Sequence, residues 1–475
     1  MRQTTLLVLL LATSLSAVQS PSQPSWPAQE EEIMRHFQTI VRMDTTDPPG
    51  TPPGGEKPVA EYLKQVLEKE GIPVQLFALE PNRPNVVARL KGNGKKRPLL
   101  LLGHTDTVNV DAKKWTYPPF SAERKDGFIY GRGTIDDKDN VTGMLMTMLM
   151  LKRQNVPLDR DVIFLAEGGE EGTTRIGIQF MVNQHYDAID AEYCYAEGGN
   201  VTRVNGQVKF ASVQTVEKIP RAIKITAKGT AGHGSVPLED NAVAHLGEAV
   251  GAIAAWTPPT RLNETTATYF KRLASVSTPE EAARYRDALS PDPAVAGPAQ
   301  QYLRKNEPRH WSMLRTSLSP TIIQGGYRSN VIPSEATANI DVRQTPDEDP
   351  AKFLELVRQV VNDPQIMVEY ANANSANRPP TPAARLDSDA YKALESMTTK
   401  HYNAIMLPTM STGATDMSYL RQKGMQCYGI GPALDVEDGP KGFGAHSDQE
   451  RIVEAELYRF VRFAYDAVVE VARAR

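Results

Sequence analysis

Three apolar segments of this sequence each run directly into acidic or histidine residues, and this pattern constrains the fold more than any other feature. LLLL at residues 99–102 leads into GHTDTV, and VIFLA at residues 162–166 leads into EGGEEG. EYCYA at residues 192–196 leads into EGG. Apolar runs of this kind are typical of parallel strands covered by helices, and such sheets bind ligands at the carboxyl ends of their strands. The sequence therefore predicts an α/β fold with a mostly parallel central sheet and a polar site at one edge.

A different order of elements interrupts this pattern. The middle of the chain predicts a strand, a helix, a charged helical insertion, two strands, a helix and a strand. Without the insertion, this is the plan of a small α+β domain with its helices on one face. A chain of 475 residues also favours two domains. We therefore expect a catalytic domain formed by residues 27–215 and 372–475, with residues 216–371 inserted as a second domain.

The first 20 residues have the composition of a secretory signal peptide. Arg2 precedes an apolar stretch at residues 6–15, and small residues and a Pro-rich break follow. This stretch is too short for a stable membrane anchor, so we expect a secreted or periplasmic protein. The formal charge of -4 comes from acidic and basic residues mixed along the chain, which disfavours a nucleic-acid partner. Only Cys194 and Cys427 are present, and whether they pair stays open.

The polar residues at the predicted strand ends form a ligand set for metal ions. The set combines two histidines with carboxylates: His104, Asp106, Asp136, Asp137, Glu170, Glu171, Glu197 and His446. Such ligands suit Zn²⁺, with Co²⁺ or Mn²⁺ as substitutes. A catalytic pair of ions needs a carboxylate between them and a further acid left free for proton transfer. Asp136, in GRGTIDDKD, is the candidate for the shared carboxylate.

In this order the motifs resemble those of the M20 metallopeptidases and amidohydrolases, which include glutamate carboxypeptidase, aminoacylase, carboxypeptidase S and carnosinase. The matching motifs are HTDTV, GRGTIDDKD, GGEEG, AEGG, AGHGSVP, NVIP followed by DVR, TGATD and AHSDQE. They cover nearly all of the chain after the signal segment. The resemblance implies a zinc-exopeptidase-like catalytic domain with an inserted lid or dimerisation domain.

The resemblance implies two zinc ions per chain and assigns their ligands. His104 and Glu197 match the terminal ligands of one zinc ion. Glu171 and His446 match those of the other ion, and Asp136 matches the bridge between the two.

Two further acids have implied roles around these ligands. Glu170 matches the general base that takes a proton from the metal-bound water. Asp106 matches the acid that orients His104 by accepting its other N–H. The family usually has a cis peptide bond after the bridging Asp, here between Asp136 and Asp137.

Residues of the inserted domain and of a late loop match substrate-contacting positions of the family. His233 matches a residue that stabilises the oxyanion in the site of a partner subunit, although a structural hydrogen bond at a helix start is the alternative. Asn330 and Arg343 match positions that hold the substrate. Arg343 suits a carboxylate because it can bind one bidentately, although a simple ion pair is the alternative. Gly413 and Thr415 match a substrate-contacting loop.

These observations predict a secreted di-zinc hydrolase, acting as a homodimer, that cleaves a peptide or N-acyl amino acid next to a free carboxylate. It would be a carboxypeptidase or an N-acyl-amino-acid hydrolase, with a carnosinase-type dipeptidase as the alternative. Glu170 disfavours a catalytically inactive metal-binding relative. Two residues indicate different subclasses. Gly169, before the paired glutamates, is nearer the dipeptidase motif, whereas Glu197 as the last acidic ligand is similar to the carboxypeptidase and acylase branches. Asp139 also departs from the family, which often has Gly after DDK.

Overall fold

The computed structural model describes residues 25–47 and 55–474. The signal segment predicted at residues 1–20 lies outside these residues. None of the helices in the described ranges is both long enough and apolar enough to cross a membrane.

The helices and strands follow each other in an α/β order. The strands are β1 (Val74–Phe77), β2 (Asn85–Leu90), β3 (Leu99–His104), β4 (Glu123–Lys125), β5 (Phe128–Tyr130), β6 (Val162–Glu167), β7 (Tyr193–Ala196), β8 (Asn200–Val204), β9 (Gln207–Glu217), β10 (Ile219–Pro220), β11 (Ile223–Lys228), β12 (Gly232–His233), β13 (Ser317–Gly325), β14 (Val331–Ile332), β15 (Glu335–Gln344), β16 (Ile366–Tyr370), β17 (Met406–Ser411), β18 (Gln426–Gly429), β19 (Ala433–Asp435) and β20 (Arg451–Val453). The helices are α1 (Glu30–Val41), α2 (Lys57–Lys69), α3 (Lys138–Arg153), α4 (Ile178–Gln184), α5 (Tyr186–Ile189), α6 (Ala242–Ala255), α7 (Glu264–Ser275), α8 (Pro279–Ala288), α9 (Pro293–Asn306), α10 (Pro308–Met313), α11 (Pro350–Val361), α12 (Ala373–Asn377), α13 (Asp389–Tyr402), α14 (Met417–Gln422) and α15 (Glu454–Ala472).

The central sheet has ten strands in the order β1-β2-β6-β3-β7-β18-β9-β8-β19, with β17 paired to β9. β3 is parallel to β6 and β7, and β18 is parallel to β7. The predicted α/β fold with a mostly parallel central sheet is therefore confirmed. Cys194 and Cys427 are in register on β7 and β18, and both are buried free thiols.

Two helical layers cover this sheet, as the apolar runs require. One cluster of buried side chains joins α1, α2, α3, α13 and α15 to the sheet, and another joins α4 and α14 to the opposite face. In α3 the residues from Lys138 through Leu151 are all buried, including Met144, Met146, Met148 and Met150. The methionines of this helix fill the core between the sheet and α15, since flexible thioether side chains adapt to irregular gaps.

A second sheet lies within the predicted insertion. Its strands run in the order β10-β15-β11-β16, with β13 paired to β15, and every pair is antiparallel. α6 and α11 share one apolar cluster with this sheet. The chain passes from the central sheet to the second sheet at Lys218, because β9 ends at Glu217 and β10 begins at Ile219.

The charged helical insertion packs in a different place from the rest of the insertion. Buried residues of α7 to α10 form one cluster with Phe210 and Val216 of β9 and with Leu407 and Met410 of β17. The insertion is therefore divided in space. Its α+β part forms the second sheet, while its helical part lies against the central sheet.

Candidate metal centre

Strands of the central sheet deliver the predicted metal-site residues to one edge. β3 ends at His104. Glu170 and Glu171 follow β6, and Glu197 follows β7 directly. Because β3 is parallel to both neighbours, the segments leaving these strands lie at the same edge.

Asp136 lies between the two histidines. Its Oδ1 is 3.1 Å from His104 Nε2, and its Oδ2 is 3.0 Å from His446 Nε2. His446 Nε2 is also 3.0 Å from Glu171 Oε1. A carboxylate with one oxygen towards each histidine has the arrangement that a ligand shared by two ions requires.

Two overlapping groups of side chains have ligand atoms within 4.8 Å of one another. One group contains His104, Asp136 and Glu171, and the other contains His104, Glu170 and Glu197. The predicted set is thus assembled around His104 and Asp136. Because Glu170 belongs to one of these groups, its role as a base rather than a ligand stays a prediction.

Asp106 connects His104 to the loop that carries the paired glutamates. Its side chain is fully buried, and its two oxygens accept hydrogen bonds from the backbone N–H groups of Glu170 at 3.2 Å and Glu171 at 3.0 Å. His104 Nδ1 lies 3.1 Å from the Asp106 carbonyl oxygen and 3.5 Å from its Oδ1. Asp106 therefore fixes both the imidazole ring and the glutamate backbone.

The bond between Asp136 and Asp137 is a cis peptide, as the resemblance implied. Asp137 accepts hydrogen bonds from the backbone N–H of His104 at 3.1 Å and from Asn140 Nδ2 at 2.6 Å. Asp137 thus connects Asp136, its neighbour in the chain, to the end of β3.

Glu450 joins two distant motifs, and the sequence analysis did not single it out. Its buried carboxylate accepts from Arg132 Nη1 at 2.6 Å and from the Ile135 N–H at 2.9 Å, and its carbonyl accepts from the Gly131 N–H at 3.0 Å. This contact holds GRGTIDDKD against AHSDQE, the motif that also carries His446. The motif AHSDQE marks this segment in the sequence, but the partners of Glu450 depend on which loops meet in the fold.

His446 reaches the centre from an unusual backbone conformation. Its φ angle is 60°, a left-handed value that residues with a side chain seldom adopt and that is concentrated at functional sites. Ser447 closes the turn, with its N–H and hydroxyl both bonded to the Gly444 carbonyl. The strained turn aims the imidazole at Asp136 and Glu171.

The electrostatics of this edge favour bound cations. Burial raises the pKa values of Asp137, Glu170 and Glu197 well above their usual range, and repulsion from Glu197 adds to the effect on Glu170. Burial also opposes ionisation of Asp136, but hydrogen bonds with the two histidines lower its pKa. Hydrogen bonds to Asp136 and Glu171 raise the pKa of His446 to about 10. The pocket therefore stabilises positive charge strongly, and its donors fit zinc.

A buried pair of carboxyl groups next to this centre was not foreseen. The side chains of Glu167 and Asp416 are in hydrogen-bonding contact, and burial raises the pKa of Glu167 to about 8. Burial and the neighbouring Glu167 raise the pKa of Asp416 well above its usual range. Both residues stand in motifs already recognised: Glu167 opens EGGEEG, and Asp416 closes TGATD.

The structure brings His233 and Asn330 together on the second domain. β12, which contains His233, pairs with β14, and the Gly234 N–H donates to the Asn330 carbonyl at 2.8 Å. His233 is exposed, and its Nδ1 lies 3.1 Å from the Ser235 backbone nitrogen and 2.7 Å from Ser235 Oγ. These contacts are local, so the predicted reach of His233 into a partner's site stays a prediction.

Arg343 and Thr415 each have a partner within the chain. Arg343, on β15, donates from Nε to Asp341 Oδ2 at 3.0 Å, as the ion-pair alternative anticipated. Thr415 is buried, and its hydroxyl donates to Glu217 Oε2 at 2.7 Å. Gly413 donates its N–H to Ser411 Oγ at 3.1 Å. Substrate contacts by these residues stay predictions, and the Thr415 hydroxyl is already committed to Glu217.

Asp139, where the sequence departs from the family pattern, lies in the first turn of α3. Its side chain is fully buried, and neither carboxylate oxygen has a hydrogen-bond partner within the described part of the chain. Burial raises its pKa to about 8. The helix begins at Lys138 all the same, so Asp139 adds a buried carboxyl group to the interior without shifting the start of the helix.

The sequence model of Peptidase family M20/M25/M40 matches residues 100–470, and the chain belongs to this family of metal-dependent hydrolases. It is 29% identical over 329 residues to probable carboxypeptidase S-like 2 from Dictyostelium discoideum, a match covering 67% of this chain and 62% of that relative. The chain therefore spans less than two thirds of that relative's length.

Two further comparisons agree with this assignment. The chain is 25% identical over 383 residues to human N-fatty-acyl-amino acid synthase/hydrolase PM20D1, covering 78% of this chain and 74% of that protein. It shares its fold with the M20 family metallo-carboxypeptidase Sso-CP2 from Sulfolobus solfataricus, with a TM-score of 0.64 and 20% identity over 92% of this chain and 98% of the other.

Replacing Glu450 by Gln tests whether its contact with Arg132 holds the two motifs together. Removing one partner of a buried ion pair leaves the other charge uncompensated, so we expect the free energy of unfolding to fall by about 3 kcal/mol in urea titrations. The control is Glu454→Gln, which breaks the more exposed pair with Arg124 and should cost less than about 1 kcal/mol. Equal losses in the two variants would contradict the anchoring role.

Replacing Asp139 by Asn tests the buried carboxyl group. In the folded protein this group keeps its proton up to about pH 8, whereas in the unfolded chain it ionises near its ordinary pKa. Wild-type stability therefore falls between these two pKa values as the pH rises, by up to about 1.4 kcal/mol per pH unit. The variant should gain melting temperature relative to wild type from pH 5 to pH 8.

The matched control is Asp389→Asn, which changes an exposed first-turn aspartate of α13. It should show no comparable trend in thermal melts over the same range. A gain in melting temperature for Asp139→Asn that does not vary with pH would show that burial does not raise the pKa of Asp139.

Proposed function

We propose that this protein is an exported di-zinc hydrolase that cleaves an amide or peptide bond next to a free carboxylate, as a carboxypeptidase or an N-acyl-amino-acid hydrolase. The observation that carries the proposal is the position of Asp136, with one oxygen towards His104 and the other towards His446. Glu170 lies beside this arrangement with no assigned ligand role in the family pattern.

The residues present fit two zinc ions. His104 and Glu197 would hold one ion, Glu171 and His446 the other, and Asp136 would be shared. When bound, the ions would lower the pKa of a water molecule towards neutrality and polarise the substrate carbonyl.

The chain's own residues move the proton and hold the geometry. Glu170 accepts the proton of the attacking water and later donates it to the leaving nitrogen. Asp106 keeps His104 and the backbone of Glu170 in fixed positions through its hydrogen bonds.

The substrate class is supported by the two named relatives and by the second domain. One of those relatives is a probable carboxypeptidase S-like protein, and the other is an N-fatty-acyl-amino acid synthase/hydrolase. Arg343 would bind the substrate carboxylate bidentately after exchanging its bond with Asp341. The motif EGGEEG, with Gly169 before the paired glutamates, resembles that of dipeptidases, so a carnosinase-type dipeptidase is the second candidate.

Export and dimerisation are parts of the same proposal. The apolar segment at residues 6–15 supports export to the periplasm or the exterior. An exposed edge of the second sheet supports a homodimer: β13 carries Ile322 and Ile323, which are 47% and 62% exposed, and Tyr327 just after it is 83% exposed. Unpaired strand edges with apolar side chains favour pairing with another chain.

Glu170→Gln tests the proposed base. The variant keeps the size of the side chain but cannot accept a proton, so we expect kcat to fall by roughly 10²- to 10⁴-fold. Zinc content, measured by mass spectrometry of the purified protein, should stay at the wild-type value. Loss of zinc from the variant would show that Glu170 is a ligand instead.

A panel of dipeptides, C-terminally blocked peptides and N-acyl amino acids tests the substrate class. Only substrates with a free carboxylate should be cleaved, because the Arg343 guanidinium would have no partner on a blocked substrate. Arg343→Lys should raise KM more than it lowers kcat. Equal cleavage of blocked and free substrates would contradict the assignment.

Mixed dimers test whether His233 acts in the partner's site. In a dimer of a Glu170→Gln chain with a His233→Ala chain, action in trans leaves one of the two sites with both residues intact, so activity returns. Action within one subunit leaves no intact site, so the mixed dimer would stay inactive.

Sedimentation velocity tests the proposed dimer. The wild type should sediment as a dimer and Ile323→Asp as a monomer, while the control Met367→Asp, on the opposite edge strand, should stay a dimer. A fully active wild-type monomer would contradict the dimer.

A further inference from the structure

A cavity of about 480 Å³ lies next to the metal centre. Ile135 and Ala445, which line it, are the chain neighbours of Asp136 and His446. Its volume falls within the range of small-molecule binding pockets. The cavity therefore lies close to the centre at which the reacting bond must lie.

The wall of this cavity is largely apolar. The apolar side chains come from β9, from the segment around β19 and from the loop before β20: Phe210, Ala433, Leu434, Val436 and Phe443. Burying an alkyl chain against such a surface is favourable in proportion to the area removed from water.

Three of the four charged side chains in the wall have partners of opposite charge. Asp438 accepts from Arg451 at 2.7 Å, and Asp435 lies 3.2 Å from Arg203. The fourth, Arg309, has no salt-bridge partner among the described residues. The cavity therefore favours an apolar group over an ammonium group.

The helical insertion closes one side of the cavity. Tyr269 of α7 and His310 of α10 both line it, and the Tyr269 hydroxyl lies 3.1 Å from His310 Nε2. His310 Nδ1 lies 2.6 Å from Glu307 Oε2. Among the described residues that line the cavity, none comes from the second sheet or from α6 and α11.

We infer that this cavity binds the alkyl chain of an N-acyl amino acid, on the acyl side of the bond that is cleaved. The inference rests on the proposed function, in which Arg343 of the second sheet holds the carboxylate. The acyl group then extends away from Arg343 into the wall formed by the central sheet and the helical insertion. The chain's preferred substrates are amino acids that carry medium or long alkyl acyl groups.

The test compares N-acetyl, N-butanoyl, N-octanoyl and N-dodecanoyl derivatives of one amino acid with the zinc-loaded full-length enzyme. We expect kcat/KM to rise by about two- to fourfold per methylene until the cavity is filled. Thr202→Phe places a ring in the cavity from β8 and should lower the ratio of dodecanoyl to acetyl kcat/KM at least about tenfold. Thr399→Phe, on the exposed side of α13, is the control and should keep the wild-type ratio.

Calorimetric titration with 1-octanol provides a readout that does not depend on turnover. Octanol has no carboxylate to bind a metal, and it should bind wild type and Thr399→Phe at least about tenfold more tightly than Thr202→Phe. The acyl assignment would be overturned if the enzyme hydrolysed all acyl amino acids with the same kcat/KM, whatever the length of the acyl chain. It would also be overturned if Thr202→Phe kept the wild-type ratio of dodecanoyl to acetyl kcat/KM. In both cases the proposed function would stand. If neither acyl amino acids nor peptides were hydrolysed, the proposed function would fail and the acyl assignment with it, even if octanol bound.

Discussion

The crowding of buried carboxylates at one edge of the central sheet is the constraint on which the rest of the structure depends. Asp136, Glu170 and Glu197 converge there, and burial alone makes their ionisation costly. Isolated buried charges are tolerated only when they are paired or bind metal ions. Positive charge between the carboxylates removes this cost. The imidazoles of His104 and His446 lie beside Asp136, and the chain belongs to a metal-dependent family.

Positions at this edge are fixed by contacts between segments that are far apart in the sequence. Asp106 connects the end of β3 to the paired glutamates, and Glu450 connects the loop of Asp136 to the segment of His446. Both carboxylates are fully buried and hydrogen-bonded. The geometry of this edge therefore depends on acids that hold other side chains in place, in addition to the acids proposed as metal ligands.

The parts of this architecture that follow from local pattern could be predicted from the sequence. The apolar runs before His104 and Glu197 indicated parallel strands, and the order of motifs indicated both the family and the residues that meet at Asp136. The contacts of Glu450 and the pairing of Glu167 with Asp416 could not be predicted, because they depend on which loops meet in space. The packing of α7 to α10 against β9 and β17 could not be predicted for the same reason. Helical periodicity shows which face of a helix is apolar but not which surface that face covers.

Diffraction from zinc-loaded crystals, recorded on both sides of the zinc absorption edge, tests the central claim most directly. The account predicts two anomalous peaks per chain, one beside His104 and Glu197 and the other beside Glu171 and His446, with the Asp136 carboxylate in contact with both. A single peak, or two peaks of which only one contacts Asp136, would contradict it.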